Sequence, residues 1–103
     1  MKYAIAANGQ GADDYVSERG GRAPYYIIVQ GEEVVEVIKN PFAMGAGGAG
    51  FSVAYLLGEK GVEKVFALAL GDNMVFALGE KNIEYCEVSS EKKISEIIAE
   101  NKD

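Results

Sequence analysis

Two hydrophobic periods alternate along this chain. Residues 2–7 are almost wholly apolar, as expected of a strand inside a sheet, and a polar, glycine-containing stretch follows from Asn8 to Gly21. Pro24–Gln30 is rich in aromatic and β-branched residues, which predicts a second strand. Gly31-Glu32 breaks it, and Glu33–Lys39 resumes so soon that the two strands form an antiparallel hairpin. Asn40-Pro41 ends the hairpin, because proline removes a ladder donor.

Beyond a glycine-rich stretch at 42–50, Val53, Leu56 and Leu57 recur at helical spacing, and Gly61 is a natural C-terminal stop. Val65–Leu70 is a continuous apolar run, the pattern of a parallel strand covered on both faces. Gly71-Asp72-Asn73 interrupts it and supplies an N-cap for a helix carrying Met74, Ala77 and Leu78 and ending near Asn82. Ile83–Val88 reads as a last strand. Ser89 or Ser90 then caps a third helix whose buried stripe is Ile94, Ile97 and Ile98. The order βββαβαβα predicts an α/β domain over residues 1–103. Its five-stranded mixed sheet has the order 3-2-1-4-5, with strand 2 alone antiparallel, in a ribonuclease-H-like three-layer arrangement. The outer strand Glu33–Lys39 offers an edge for pairing between chains, which its glutamates blunt.

This topology brings the connections Asn8–Gly21, Asn40–Gly50, Gly71–Asn73 and Glu87–Ser90 to one edge of the sheet. In open α/β sheets ligands bind on that edge at a topological switch point, here between strands 1 and 4. Two of these loops lead into helix N-termini, whose N–H groups and dipole attract anions. Ser17, Arg19, Arg22, Gly45, Gly47, Gly48, Asp72 and Asn73 are the candidate lining residues. Several residues have a plainer reading beside the functional one. The glycines of 45–50 serve turn chemistry, the arginines are solvated, Asp72 caps a helix rather than ligating metal, and Cys86 is a small hydrophobe on an edge strand.

Composition narrows the chemistry. The net charge is −6, which repels phosphate backbones and anionic lipid, so neither nucleic acid nor membrane is expected as a partner. No histidine is present, which removes Ser-His and Cys-His nucleophilic machinery and any histidine metal cage. A single cysteine excludes an internal disulfide. The apolar opening is too short for a secretory signal, and the expected location is the cytoplasm. Gly45–Gly50 satisfies G-x-G-x-x-G but does not directly leave its strand, and as a P-loop it has Phe51 where lysine is required. Strand 1 holds no carboxylate, so the two-metal nuclease chemistry found on ribonuclease-H-like folds is not expected. The expectation is a binding protein, not an enzyme.

Several stretches, in order, resemble the dinitrogenase iron-molybdenum cofactor biosynthesis family. They are Ser17–Tyr26, Asn40-Pro41-Phe42, Gly47–Gly50 with the helix that follows, and Leu56-Leu57 followed by Gly61-Val62. Leu70-Gly71 and Ile83-Glu84-Tyr85 complete the series. The resemblance implies a small non-enzymatic carrier or accessory domain. Its cargo would be an iron-sulfur cluster or iron-molybdenum cofactor precursor, exchanged with a cluster-donor or acceptor protein. Many members carry histidine and phenylalanine where this chain has Arg19 and Gly20, and another histidine near Ala46 or Gly47. What the resemblance leaves here is an anion-binding frame of N–H groups and Arg22. That frame fits a metallocluster or, alternatively, the small anionic ligand of a nucleotide- or phosphate-binding regulatory module with no metal role.

Overall fold

The computed structural model describes residues 1–44, 48–88 and 91–101. Its elements are β1 (Lys2–Ala7), β2 (Tyr25–Gln30), β3 (Glu33–Lys39), α1 (Ala49–Glu59), β4 (Lys64–Ala67), α2 (Asp72–Glu80), β5 (Glu84–Glu87) and α3 (Ile94–Glu100). The five strands form one mixed sheet in the order β3-β2-β1-β4-β5. β2 runs antiparallel to both neighbours, while β1, β4 and β5 are parallel. The expected strand order and the single antiparallel strand are both present.

The period-2 alternation of β1 sorts its side chains between two layers. Ala4 and Ala6 face α1 and α2, where Val53, Leu57, Met74 and Leu78 pack over them together with Ile28 and Val65. Tyr3, Ile5 and Ala7 face the opposite layer with Ile27, Val29 and Phe66, and Ile94 and Ile97 of α3 close that side. β1 is therefore apolar throughout because both of its faces are covered. The expected helical stripes are buried at Val53, Leu57, Met74, Ala77, Leu78, Ile94 and Ile97, and Leu56 and Ile98 are half-buried. Among the described residues, no helix is long and apolar enough to cross a membrane.

β3 is the contrast. Every residue but Ile38 is exposed, and the register skips Val35 between Ile28–Glu36 and Val29–Val34. A bulge of this kind twists an edge away from flat pairing. Glu36 also reaches α1 through a 2.9 Å ion pair with Lys60.

Three boundaries differ from the sequence reading. β4 stops at Ala67 although the apolar run continues to Leu70, because the next backbone groups pair with the first connection instead. The N-cap of α2 is Gly71, with Asp72 as the first helical residue and no side-chain cap bond. α3 begins at Ile94 with Lys93 at its cap, so neither serine serves that role; Ser89 and Ser90 themselves lie outside the described residues. At the α3 cap the Glu96 carboxylate accepts the Lys93 N–H at 2.9 Å, the reciprocal half of a capping box.

Tyr26 is fully buried on β2, and its hydroxyl has no hydrogen-bond partner among the described residues. Burial pushes that hydroxyl far above its ordinary pKa of 10.0. The unfolded chain then loses the proton first as pH rises, so folding stability falls above pH 10.0, by up to about 1.4 kcal/mol per pH unit. Tyr26→Phe removes an unsatisfied polar group, and a gain of about 1 kcal/mol is expected. Denaturant melts at neutral and alkaline pH check both effects, the variant losing this alkaline component.

Candidate functional site

The first connection does not simply loop away from the sheet. Tyr15 and Val16 form bridges to Lys93 and Ala7, and the chain then enters the gap where β1 and β4 diverge. There the Ser17 N–H donates to the Ala6 carbonyl at 2.7 Å, and the Leu68 N–H donates to the Ser17 carbonyl at 3.1 Å. The Gly20 N–H continues the pattern onto the Ala69 carbonyl at 2.9 Å. The switch point predicted from topology is thus occupied by the chain's own backbone, and Ser17 is buried within it. Its hydroxyl accepts the Arg19 N–H at 3.2 Å, which turns the chain outward.

That turn delivers Glu18 to Arg22 onto the N-termini of α1 and α2, and the three segments enclose a cleft of about 670 Å³. Glycine is what lets them meet. A Cβ on Gly50 would lie 2.9 Å from both the Cβ and the backbone nitrogen of Met74. One on Gly21 would lie 3.0 Å from the Gly50 nitrogen. A side chain at Gly20 would enter the space taken by Leu70 and the Met74 sulfur. Gly48, the N-cap of α1, has φ 90°, a left-handed conformation that glycine adopts without strain.

The cleft gathers Arg19, Arg22, Gly48, Asp72 and Asn73 from three separate loops. Ser17 lies beneath it and does not line it. Gly45 and Gly47 lie outside the described residues. The first N–H groups of each helix lack intrahelical acceptors, so both N-termini present donors and positive dipole ends to the cleft. Arg19 is exposed, and Arg22 is half-buried with its Nη1 donating to the Ala43 carbonyl at 3.5 Å. Glu18 and Asp72 also line the cleft and oppose an anion. At a separation of about 7 Å in water, removing one such charge is worth about threefold in affinity. Asp72→Asn is accordingly expected to tighten binding of inorganic phosphate by about that factor, measured by calorimetry at low salt.

Two supports of the cleft, Asn40 and Glu87, have bonding roles that no local sequence pattern shows. Asn40, buried at the end of β3, donates through its amide nitrogen to the carbonyls of Gly21 at 3.0 Å and Ala23 at 2.9 Å. Its amide oxygen accepts the Phe42 N–H at 2.9 Å. The Glu87 carboxylate, at the end of β5, accepts the Leu70 N–H at 2.8 Å and fixes the approach to α2. Among the described residues no group of three or more His, Cys, Asp or Glu side chains is arranged to hold a metal ion. Cys86 is half-buried on β5 and does not line the cleft.

The profile of the dinitrogenase iron-molybdenum cofactor family matches residues 1–103. The chain belongs to that family. Similar solved structures include a candidate NifB protein from Thermotoga (TM1290), which its authors place in the DUF35 family. That protein is 30% identical with a TM-score of 0.80, over 95% of this chain and 84% of that one. The apo orange protein from Desulfovibrio gigas superposes with a TM-score of 0.86 at 23% identity, over 95% of this chain and 83% of that one. PH0822 gives 0.77 at 23% identity, over 96% and 87%. These last two likenesses establish the fold alone. A comparison with the curated proteins found no match. In this member of the iron-molybdenum cofactor family, Arg19, Arg22, Gly48, Asp72 and Asn73 are the candidate residues that line the glycine cleft.

Proposed function

We propose that this chain is a non-enzymatic carrier or accessory protein, acting in the cytoplasm. Its cargo is an anionic iron-sulfur metallocluster or a precursor of the iron-molybdenum cofactor, taken from a donor protein and passed to an acceptor. The observation that carries the reading is the convergence of two helix N-termini and two arginines on one glycine-walled cleft. Backbone N–H groups and guanidinium forks recognise the outside of a preassembled anion through charge-assisted hydrogen bonds. They do not ligate iron. The family's description, which names the iron-molybdenum cofactor, supports a metallocluster over other anions. The strand order also supports grouping the fold with the ribonuclease-H-like proteins.

The same donors suit phosphate, which is the basis of the alternative, a nucleotide- or phosphate-binding regulatory module. Thermal unfolding without oxygen separates the two, since a ligand that binds only the folded state raises the midpoint, and at equal concentration the tighter ligand raises it more. The carrier reading expects a rise with a preassembled, thiolate-ligated anionic iron-sulfur cluster, exceeding that with phosphate or ATP. A larger rise with ATP, and none with the preassembled cluster, would assign the cleft to nucleotides.

A further inference from the structure

The seam between α1 and α2 does not end at the glycine cleft. Beyond Gly50 and Met74, the last residues of the two helices to line the cleft, it continues as a groove of about 280 Å³. Phe51, Tyr55 and Phe76 wall this groove over a floor of Ala54 and Ala77. The three aromatic residues are 45%, 55% and 62% exposed, on a helical face where charged and polar residues are the norm. Phe51 and Phe76 meet edge to face across the seam with ring centroids 6.4 Å apart, so the two helices present one aromatic surface.

Helical spacing extends the same stripes onto carboxylates at the end away from the cleft. Phe51, Tyr55 and Glu59 stand at four-residue intervals on α1, as Phe76 and Glu80 do on α2. Glu59 and Glu80 are exposed, and among the described residues neither has an ion-pair or hydrogen-bond partner. The neighbouring cations are engaged. Lys60 pairs with Glu36 at 2.9 Å, and the Lys81 ammonium lies 4.4 Å from the centroid of the Tyr55 ring. A second copy of the chain would set carboxylates against carboxylates in a protein of net charge −6. The open aromatic surface is roughly 300 Å², against about 800 Å² that each partner buries in a stable complex. A contact of that size is transient, and it calls for apolar and cationic groups opposite.

We propose that this groove docks the protein with which the chain exchanges its cargo, through a segment presenting an apolar side chain flanked by lysine or arginine. The partner's role in exchange rests on the carrier reading, whereas the groove and its charge do not. The apolar side chain lies against Phe51 and Phe76, and the cation meets Glu80 and Glu59. A partner so placed sits beside the cleft mouth, because Phe51 directly follows Gly50. Short amphipathic segments recognise apolar grooves in this way, with flanking charges choosing the partner.

The test is an amide NMR titration of the full chain with three helical peptides of matched length. One combines leucine and lysine at amphipathic spacing, the second replaces its leucines by serine, and the third replaces its lysines by glutamate. The leucine–lysine peptide is expected to shift Phe51, Tyr55, Phe76 and Glu80, and to bind at least about tenfold more tightly than either control. Phe76→Ser should weaken it about tenfold while phosphate-induced shifts at Gly20, Gly48 and Gly50 stay intact. Glu80→Lys should weaken it as well and strengthen binding of the leucine–glutamate peptide, a reversal that a disturbed fold would not produce. Equal binding of the leucine–lysine and lysine–serine peptides, shifts away from the groove, or no effect of Phe76→Ser would overturn the proposal. So would groove shifts that grow with protein concentration alone, which would assign the face to a second copy. Cluster binding is read separately. A chain that binds the leucine–lysine peptide but no cluster loses the carrier reading and keeps its docking groove, and the opposite result does the reverse.

Discussion

Asn40→Ala is expected to destabilise the protein by about 3 kcal/mol, because three hydrogen bonds in a buried setting are lost together at about 1 kcal/mol each. The Gly21 and Ala23 carbonyls and the Phe42 N–H lose their side-chain partner, while the backbone bond from the Asn40 N–H to the Pro24 carbonyl survives. In a domain of this size the change corresponds to a fall in Tm of about 15 °C. Asn40→Asp is a sharper control. The carboxylate keeps the shape but turns an acceptor toward two carbonyl oxygens, so it should be at least as damaging as alanine. Thermal and urea unfolding of the three proteins provide the check. A loss below about 1 kcal/mol for both variants would mean that the segment from Gly21 to Ala23 is held by other contacts.

Replacing Arg19 and Arg22 together by alanine is expected to weaken anion binding in the cleft by about 100-fold. Each guanidinium contributes a charge-assisted hydrogen bond of about 1.5 kcal/mol or more, and two such bonds amount to two decades of affinity. Stability should change little at Arg19, which is exposed, and more at Arg22, which is half-buried and donates to the Ala43 carbonyl. Raising salt should weaken wild-type binding more than that of the double variant, since long-range attraction is what the variant has lost. An unchanged affinity would leave the backbone N–H groups as the whole of the site.

The contrast between Asn40 and the arginines explains what could be read from the residues alone. Periodicity was sufficient wherever burial on a known face decided the matter, as in β1, the β2–β3 hairpin and the stripes at Val53, Leu57, Met74 and Leu78. Strand order followed from chain connectivity. Arg19, Arg22 and Asp72 could be assigned to one edge because strand direction alone sends their loops there. Ser17 was assigned to the same edge, but its backbone completes the sheet between β1 and β4, a tertiary pairing that no local pattern encodes. The same pairing ends β4 at Ala67 in the middle of an apolar run. In the sequence Asn40 reads as the end of a strand before a proline and as part of the Asn40-Pro41-Phe42 resemblance, with no bonding role. Its three bonds reach residues about twenty positions earlier as well as its near neighbour, so only the folded chain reveals them. The close approach of Gly50 to Met74 is likewise invisible until two helices are docked.

The most direct test of the carrier assignment is native mass spectrometry of the protein purified without oxygen from its own host, beside the Arg19/Arg22 double-alanine variant. The account predicts an added mass containing iron and sulfur on the wild-type chain and its loss from the variant. A bare wild-type chain, or one bearing phosphate or a nucleotide instead, would contradict it.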